Sequence, residues 1–238
     1  MPTTLLKTGI AASLLLAASP VLADSYKLTT LEWPPYVMAD GSGTSPDAVK
    51  NTFSKAGHSA EVAVFPWNRA VKMAAEDPAW IGVFPEYYSS DSDAEKGGSR
   101  CLFSKSFGIS PVGFIQLADK PITWKSLDDL KAYKIGVVRG YNNEEQFDAM
   151  AAKGEIKVDE ADSDVQNILK AAGGRTDAAV VDKLVFEHLA KTDPQVSAVA
   201  AKLSFNDVLL KEHAMPLTAV CEAQGPGCWF PAAGACCL

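Results

Sequence analysis

Apolar and polar residues alternate from Tyr26 along SYKLTTLEW, the period-2 pattern of a half-buried strand. Pro34 and Pro35 break it. SPDAVKNTFSKAG then takes a helical pattern, with Ser45 as the expected N-cap, Pro46 as the first helical residue and Gly57 as the stop. AEVAVFPW reads as a second strand, NRAVKMAAED as a short helix and WIGVFPEYY as a third strand. The resulting β-α-β-α-β order belongs to an α/β lobe with a largely parallel sheet.

A polar, Gly- and Ser-rich loop, YSSDSDAEKGGSR, separates this unit from an extended stretch, CLFSKSFGISPVGFIQLA. A second run follows. SLDDLKAY is a helix with Ser126 and Asp129 spaced as a capping box. KIGVVRG, IKVDEA and TDAAVV are strands, alternating with helices in NEEQFDAMAAKG, SDVQNILKAAGG and VFEHLAK. The pattern predicts an α/β fold of two lobes, each a largely parallel sheet flanked by helices. The expected bounds are a leader at 1–23, lobe I at 24–110, lobe II at 111–203 and a segment at 204–214 returning to lobe I. Residues 215–238 form a Cys-, Gly- and Pro-rich tail with neither helical nor strand period.

Composition changes this picture at the two ends. Lys7 precedes the apolar run GIAASLLLAASPVLA, which marks residues 1–23 as an export signal and the periplasm as the expected location. The tail holds Cys221, Cys228, Cys236 and Cys237, four of the chain's five cysteines, while Cys101 stands alone. Their spacing fits no zinc template, so no metal and no cofactor is expected. The tail reads as a foreign ending, such as a frameshift leaves, with a disulfide-stapled tail as the rival. Either way the C-terminal part of lobe I is missing or altered. A net charge of -7 lacks the basic footprint of a nucleic-acid binder.

Two lobes imply a cleft, and ligands of open α/β sheets bind beyond the carboxyl ends of strands. Trp33 and Tyr36 sit after the first strand, to wall a pocket or simply to pack the core. Trp67 lies at a strand–helix junction, as does Arg69. Glu86 and Tyr87 end the third strand, where the carboxylate suits a cationic group or plain solvent. Arg139, Gly140, Tyr141 and Asn142 form a strand–turn–helix passage able to meet an anion, with an ordinary capped helix as the alternative. Asp182 ends the apolar run DAAVVD, and a buried carboxylate calls for a partner. The usual nucleophile, zinc and phosphate-loop motifs of enzymes are absent. No catalytic residue is assigned.

Read in order, EWPPYV, FPWNRAVKMAAED, GVFPEYY, LFSKSF, SPVGFIQLADKPITWKSLDDLKAYKIGVVRGY and GGRTDAAVVDK resemble family 3 of the bacterial extracellular solute-binding proteins, the polar-amino-acid receptors of ABC importers. The likeness covers residues 28–214. It implies the two-lobed type II periplasmic-binding-protein fold, hinge closure on a small polar ligand, a membrane permease as partner, and a monomer. It implies that Asp182 meets the ligand's α-ammonium, and that Tyr141 and Asn142 meet its α-carboxylate. Two departures stand out. SSDSDAEKGGS holds no counterpart of the family's carboxylate-clamping arginine before Arg100, and the ending after KEHA differs. The expected function is a receptor rather than an enzyme. A dehydratase-like enzyme using a cleft carboxylate and a non-transport sensor are the alternatives.

Overall fold

The computed structural model describes residues 23–90, 92–97 and 101–220. The expected leader falls outside the described residues up to position 22, and so do the tail from 221 onward and its four cysteines.

The first lobe contains β1 (Ser25–Thr30), α1 (Thr44–Lys55), β2 (Ser59–Val64), α2 (Trp67–Glu76) and β3 (Gly82–Val83). β1 pairs in parallel with both β2 and β3. Its alternating sequence buries Leu28 against Val49 and Phe53 of α1, while Thr29 donates its hydroxyl to the Ala70 carbonyl and ties α2 to the other face. β3 is only two residues long, much shorter than WIGVFPEYY suggests. Pro85 has no N–H to extend the ladder. The chain turns away there, and Glu86 N donates instead to the Pro216 carbonyl.

The helix expected after Ser45 begins one residue earlier, at Thr44, and its N-cap is Gly43. Ser45 lies inside the first turn, and its N–H donates to the carbonyl of Tyr36. Gly43 carries φ +125, and a Cβ there would run into the Tyr36 backbone. The close approach of this helix start fixes the loop that carries Trp33 and Tyr36.

The second lobe holds β5 (Ile109–Leu117), β6 (Lys134–Val138), α3 (Glu145–Ala152), β7 (Lys157–Ala161), α4 (Asp164–Ala172), β8 (Ala178–Asp182), α5 (Lys183–Thr192) and α6 (Pro194–Val199). β6 pairs in parallel with β7 and β8, and β5 runs antiparallel to β8. The Ser126–Asp129 capping box forms as the sequence predicts, over a 3-10 turn. All five residues of β8 are buried, which suits its unbroken apolar run. One face of the sheet packs Phe114, Leu130, Ile135 and Phe147; the other packs Ile115, Ile168, Val181 and Val185.

Residues 204–214, expected to lead back to the first lobe, lie instead largely in the second sheet. β9 (Leu203–Phe205) and β10 (Lys211–Ala214) both pair with β5, one at each end of its nine residues. The return comes later. β11 (Thr218–Val220) inserts between β3 and β4 (Cys101–Phe103), giving the first sheet the order β2-β1-β3-β11-β4. Pro216 precedes this strand and so removes no ladder bond from it.

Candidate functional site

The chain between β1 and α1 makes a tight turn. Trp33 N donates to the Val37 carbonyl, while Tyr36 N and Val37 N donate to the Trp33 carbonyl. This turn stacks the rings of Trp33 and Tyr36 at 4.6 Å and 30°. Both are 5% exposed, because they insert into an apolar cluster shared with Ile115, Val181 and Val185 of the second lobe. The hydrophobic seam therefore crosses between the sheets.

Asp182 stands at the centre of that seam and caps α5. Its Oδ1 accepts from Val185 N at 2.9 Å. Its Oδ2 accepts from Tyr36 OH at 3.0 Å and from Ser110 Oγ at 2.5 Å. Ser110 spends its proton on Asp182, so at 2.5 Å it accepts from Tyr87 OH. A hydroxyl relay thus runs from Tyr87 through Ser110 to Asp182, with Tyr36 converging on the same oxygen. Two tyrosines of one lobe are held by a serine and an aspartate of the other. Burial raises the Asp182 pKa, and its three donors oppose the rise. Burial and the Asp182 charge together raise Tyr36 and Tyr87, keeping both phenols protonated as donors.

The partner that the buried run at Asp182 demands is therefore internal. Two hydroxyls and a backbone N–H satisfy the carboxylate, and it lines none of the cleft cavities described below. Tyr36 shares this structural position. Arg139 is also engaged elsewhere. Register pairs Val137 with Glu160 on neighbouring parallel strands, and just beyond them the guanidinium donates to Glu160 at 3.0 Å and to Asp162 at 2.8 Å. The turn at Gly140 does not offer a bare helix start, because Glu144 caps α3 and accepts from Phe147 N at 2.8 Å.

The remaining candidates converge. Trp33, Trp67, Glu86 and Tyr87 from the first lobe and Tyr141 and Asn142 from the second line a small cavity of about 30 Å³, with Leu31 and Pro85. Trp33 and Tyr87 meet edge to face at 5.9 Å and 71°, and Trp67 and Tyr141 at 6.4 Å and 89°. Trp67 Nε1 donates across the cleft to the Gly140 carbonyl at 3.0 Å. Glu86 is 3% exposed and accepts from the Thr218 hydroxyl at 2.7 Å. The indole N–H of Trp33 is buried with no hydrogen-bond partner among the described residues.

Two further hollows share these walls. One, of about 310 Å³, reaches Gly140 and Asn68; the other, of about 620 Å³, opens past Arg139 toward Asp162 and Asp164. Asp164 accepts from Tyr141 OH at 3.3 Å. Burial, with the Asp182 charge adding to it, pushes Asp164 up to about 7. Behind Tyr87 lies His213, stacked at 3.9 Å and 9°, its Nε2–H donated to the Asn143 carbonyl. Burial lowers the His213 pKa, so the ring is held neutral.

Sequence reasoning passed over Ser110, Asp164 and His213. Ser110 follows Ile109 in an extended stretch and looks like any strand serine. Asp164 follows a Ser cap and looks like first-turn helix chemistry. His213 stands 126 positions from Tyr87 in the sequence. Nothing local marks any of the three. Among the described residues, no group of three or more His, Cys, Asp or Glu is placed to hold a metal. No described helix is long and apolar enough to cross a membrane.

No family model matches the chain, and no curated protein matches it. Among solved structures the fold is similar to a histidine kinase sensor domain with similarity to periplasmic binding proteins, at TM-score 0.68 and 13% identity, covering 83% of each chain. It is similar to the GluR0 ligand-binding core from Nostoc punctiforme in complex with L-glutamate, at TM-score 0.66 and 15% identity, covering 89% of this chain and 91% of that one. An ancestral arginine-binding protein bound to arginine gives TM-score 0.62 and 19% identity, covering 83% and 85%. The chain thus has the two-lobed architecture of periplasmic-binding-protein-like domains.

Proposed function

We propose that the protein is an exported solute-binding protein that captures a small polar solute between its lobes and delivers it to a membrane permease of an ABC importer. The observation that carries this reading is the aromatic cavity, built from both lobes at the carboxyl ends of their strands. A site walled by two bodies couples occupancy to their closure. The binding proteins among the similar folds support the same reading by analogy of architecture. The site residues are Trp33, Trp67, Glu86, Tyr87, Tyr141 and Asn142 around the solute. Tyr36, Ser110 and Asp182 fasten the lobes, and Gly140 permits their close approach. Export to the periplasm and action as a monomer belong to the same proposal. A thermal-shift screen of amino acids, polyamines, methylated amines and small carboxylates tests it. A solute at about 100 times its dissociation constant stabilises the protein by roughly 2.7 kcal/mol. A folded protein that no member of the panel stabilises overturns the reading.

The sensor-domain neighbour favours a second reading, in which the same closure signals to a partner rather than hands over a solute. Both readings share the cavity. They part at the partner, so co-purification with a permease or with a signalling protein separates them.

A further inference from the structure

Among the described residues the chain crosses between the lobes twice. Residues 104–108 lead from β4 into β5, and residues 215–217 lead from β10 into β11. The two passages lie side by side as an antiparallel ribbon. At one end Phe103 pairs with Thr218, and at the other Ile109 pairs with Ala214. Five residues on one strand therefore face three on the other. A regular ladder cannot close over that mismatch, so the longer passage bulges.

Hydrogen bonds collect at the two ends of the ribbon. At the first-lobe end Ser104 N donates to the Leu217 carbonyl at 2.8 Å, and Leu217 N donates back to Ser104 Oγ at 2.9 Å. Leu217 packs there with Leu28 and Phe84. At the second-lobe end Phe107 N donates to the Met215 carbonyl at 3.1 Å. Met215 N donates to both the Gly108 carbonyl and Ser106 Oγ at 3.0 Å, and Ser106 donates its own proton to the Gly108 carbonyl at 2.5 Å. Met215 packs with Ile115 and Val181 of the second lobe. Between these ends the ladder is empty. Among the described residues neither Lys105 N nor Ser106 N has a hydrogen-bond partner, and Pro216 opposite them has no N–H. The Pro216 carbonyl accepts from Glu86 N at 3.1 Å, which fixes it to the first lobe. Lys105 and Ser106 are exposed, so no packing resists their rotation.

We propose that the lobes turn where the ribbon carries no backbone bond, in the Lys105–Ser106 pair and the facing Met215–Pro216 link, and that the Ser106 hydroxyl is the clamp that confines the turn to this joint. Ser106 is a positioning residue. Its hydroxyl gathers Met215 N and Gly108 into one tie at the second-lobe end, so rotation falls on a few residues rather than spreading along the passage. Met215 suits the place. Its unbranched thioether lies over Gly108, which has no side chain to obstruct it, and repacks as the angle changes.

Two measurements on the purified protein, Ser106→Ala and Ser106→Thr test the clamp. Hydrogen exchange reads the Gly108 and Met215 amides, and small-angle scattering reads the spread of distances between the lobes. The clamp predicts that Ser106→Ala exchanges these two amides several-fold faster and broadens the distance distribution. Ser106→Thr keeps the hydroxyl and is expected to restore both. Exchange and scattering that both stay unchanged in Ser106→Ala overturn the proposal. Faster exchange with an unchanged distance distribution makes the hydroxyl a local bond only, and overturns it too. So does faster exchange spread evenly over both lobes, which marks general loosening, or a threonine variant that behaves like the alanine one. Neither measurement needs a solute. Failure here therefore leaves the solute-binding reading standing, and failure of that reading leaves the joint standing.

Discussion

Tyr36 of the first lobe donates its phenolic proton to Asp182 of the second at 3.0 Å, although the two residues stand 146 positions apart in the chain. The bond lies inside an apolar seam and is shared with Ser110 and the N-terminus of α5. It therefore ties the two lobes together.

Tyr36→Phe tests this. It keeps the ring stacked on Trp33 and removes one charge-assisted hydrogen bond, a loss of about 1–3 kcal/mol. Asp182→Asn keeps a capping oxygen for α5 but places an NH₂ group where Oδ2 accepted two hydroxyls, with a loss of the same order. Denaturant midpoints measure both. If Asp182→Asn weakens solute binding with no change in stability, Asp182 is a ligand contact and not a fastening.

Much of this was legible in the chain itself, and the limits have a physical cause. The strands around Leu28 and Val137, the capping box at Ser126 and the cleft position of Trp33, Trp67, Glu86 and Tyr141 all follow from local period and from where strands end. The carboxylate at Asp182 was also legible as needing a partner. Its identity was not, because Ser110 and Tyr36 reach it only through sheet pairing and lobe contact. The short strands at 203–205 and 211–214 escaped for a similar reason. Three or four residues carry no clear period, and only the long edge of β5 recruits them.

Asp164 gives a pH signature. Its folded value of about 7 lies above the roughly 4 of an unfolded Asp, so the folded state holds the extra proton between those limits. Its contribution therefore favours folding on the acid side and is lost as pH rises through about 7. Asp182, also raised, acts with the same sign. His213, lowered by burial, acts oppositely and costs stability as pH falls below about 6.5. Asp164→Asn isolates the first effect. It mimics the protonated acid, so it changes stability little at pH 5 and raises it by about 1–3 kcal/mol at pH 8, allowing for partial exposure. Equal differences at the two pH values contradict the assignment.

Gly140 sets how closely the lobes approach. It carries φ +82, and a Cβ there would collide with the side chain of Asn68 in the opposite lobe. Gly140→Ala costs about 1–2 kcal/mol for the left-handed backbone and adds a wedge beside the Trp67 bond. Small-angle scattering is expected to show a larger radius of gyration, and solute affinity to fall several-fold. An unchanged profile with unchanged affinity removes Gly140 from the closure surface.

Solute capture is placed in the aromatic cavity between the lobes. The most direct measurement is a crystal structure of the protein with the solute that stabilises it most in the thermal-shift panel. The predicted result is solute density bounded by Trp33, Trp67, Tyr87 and Tyr141, with the Tyr36–Asp182 bond intact. Density anywhere else, or a solute seated on the Asp182 carboxylate with Tyr36 displaced, contradicts the account.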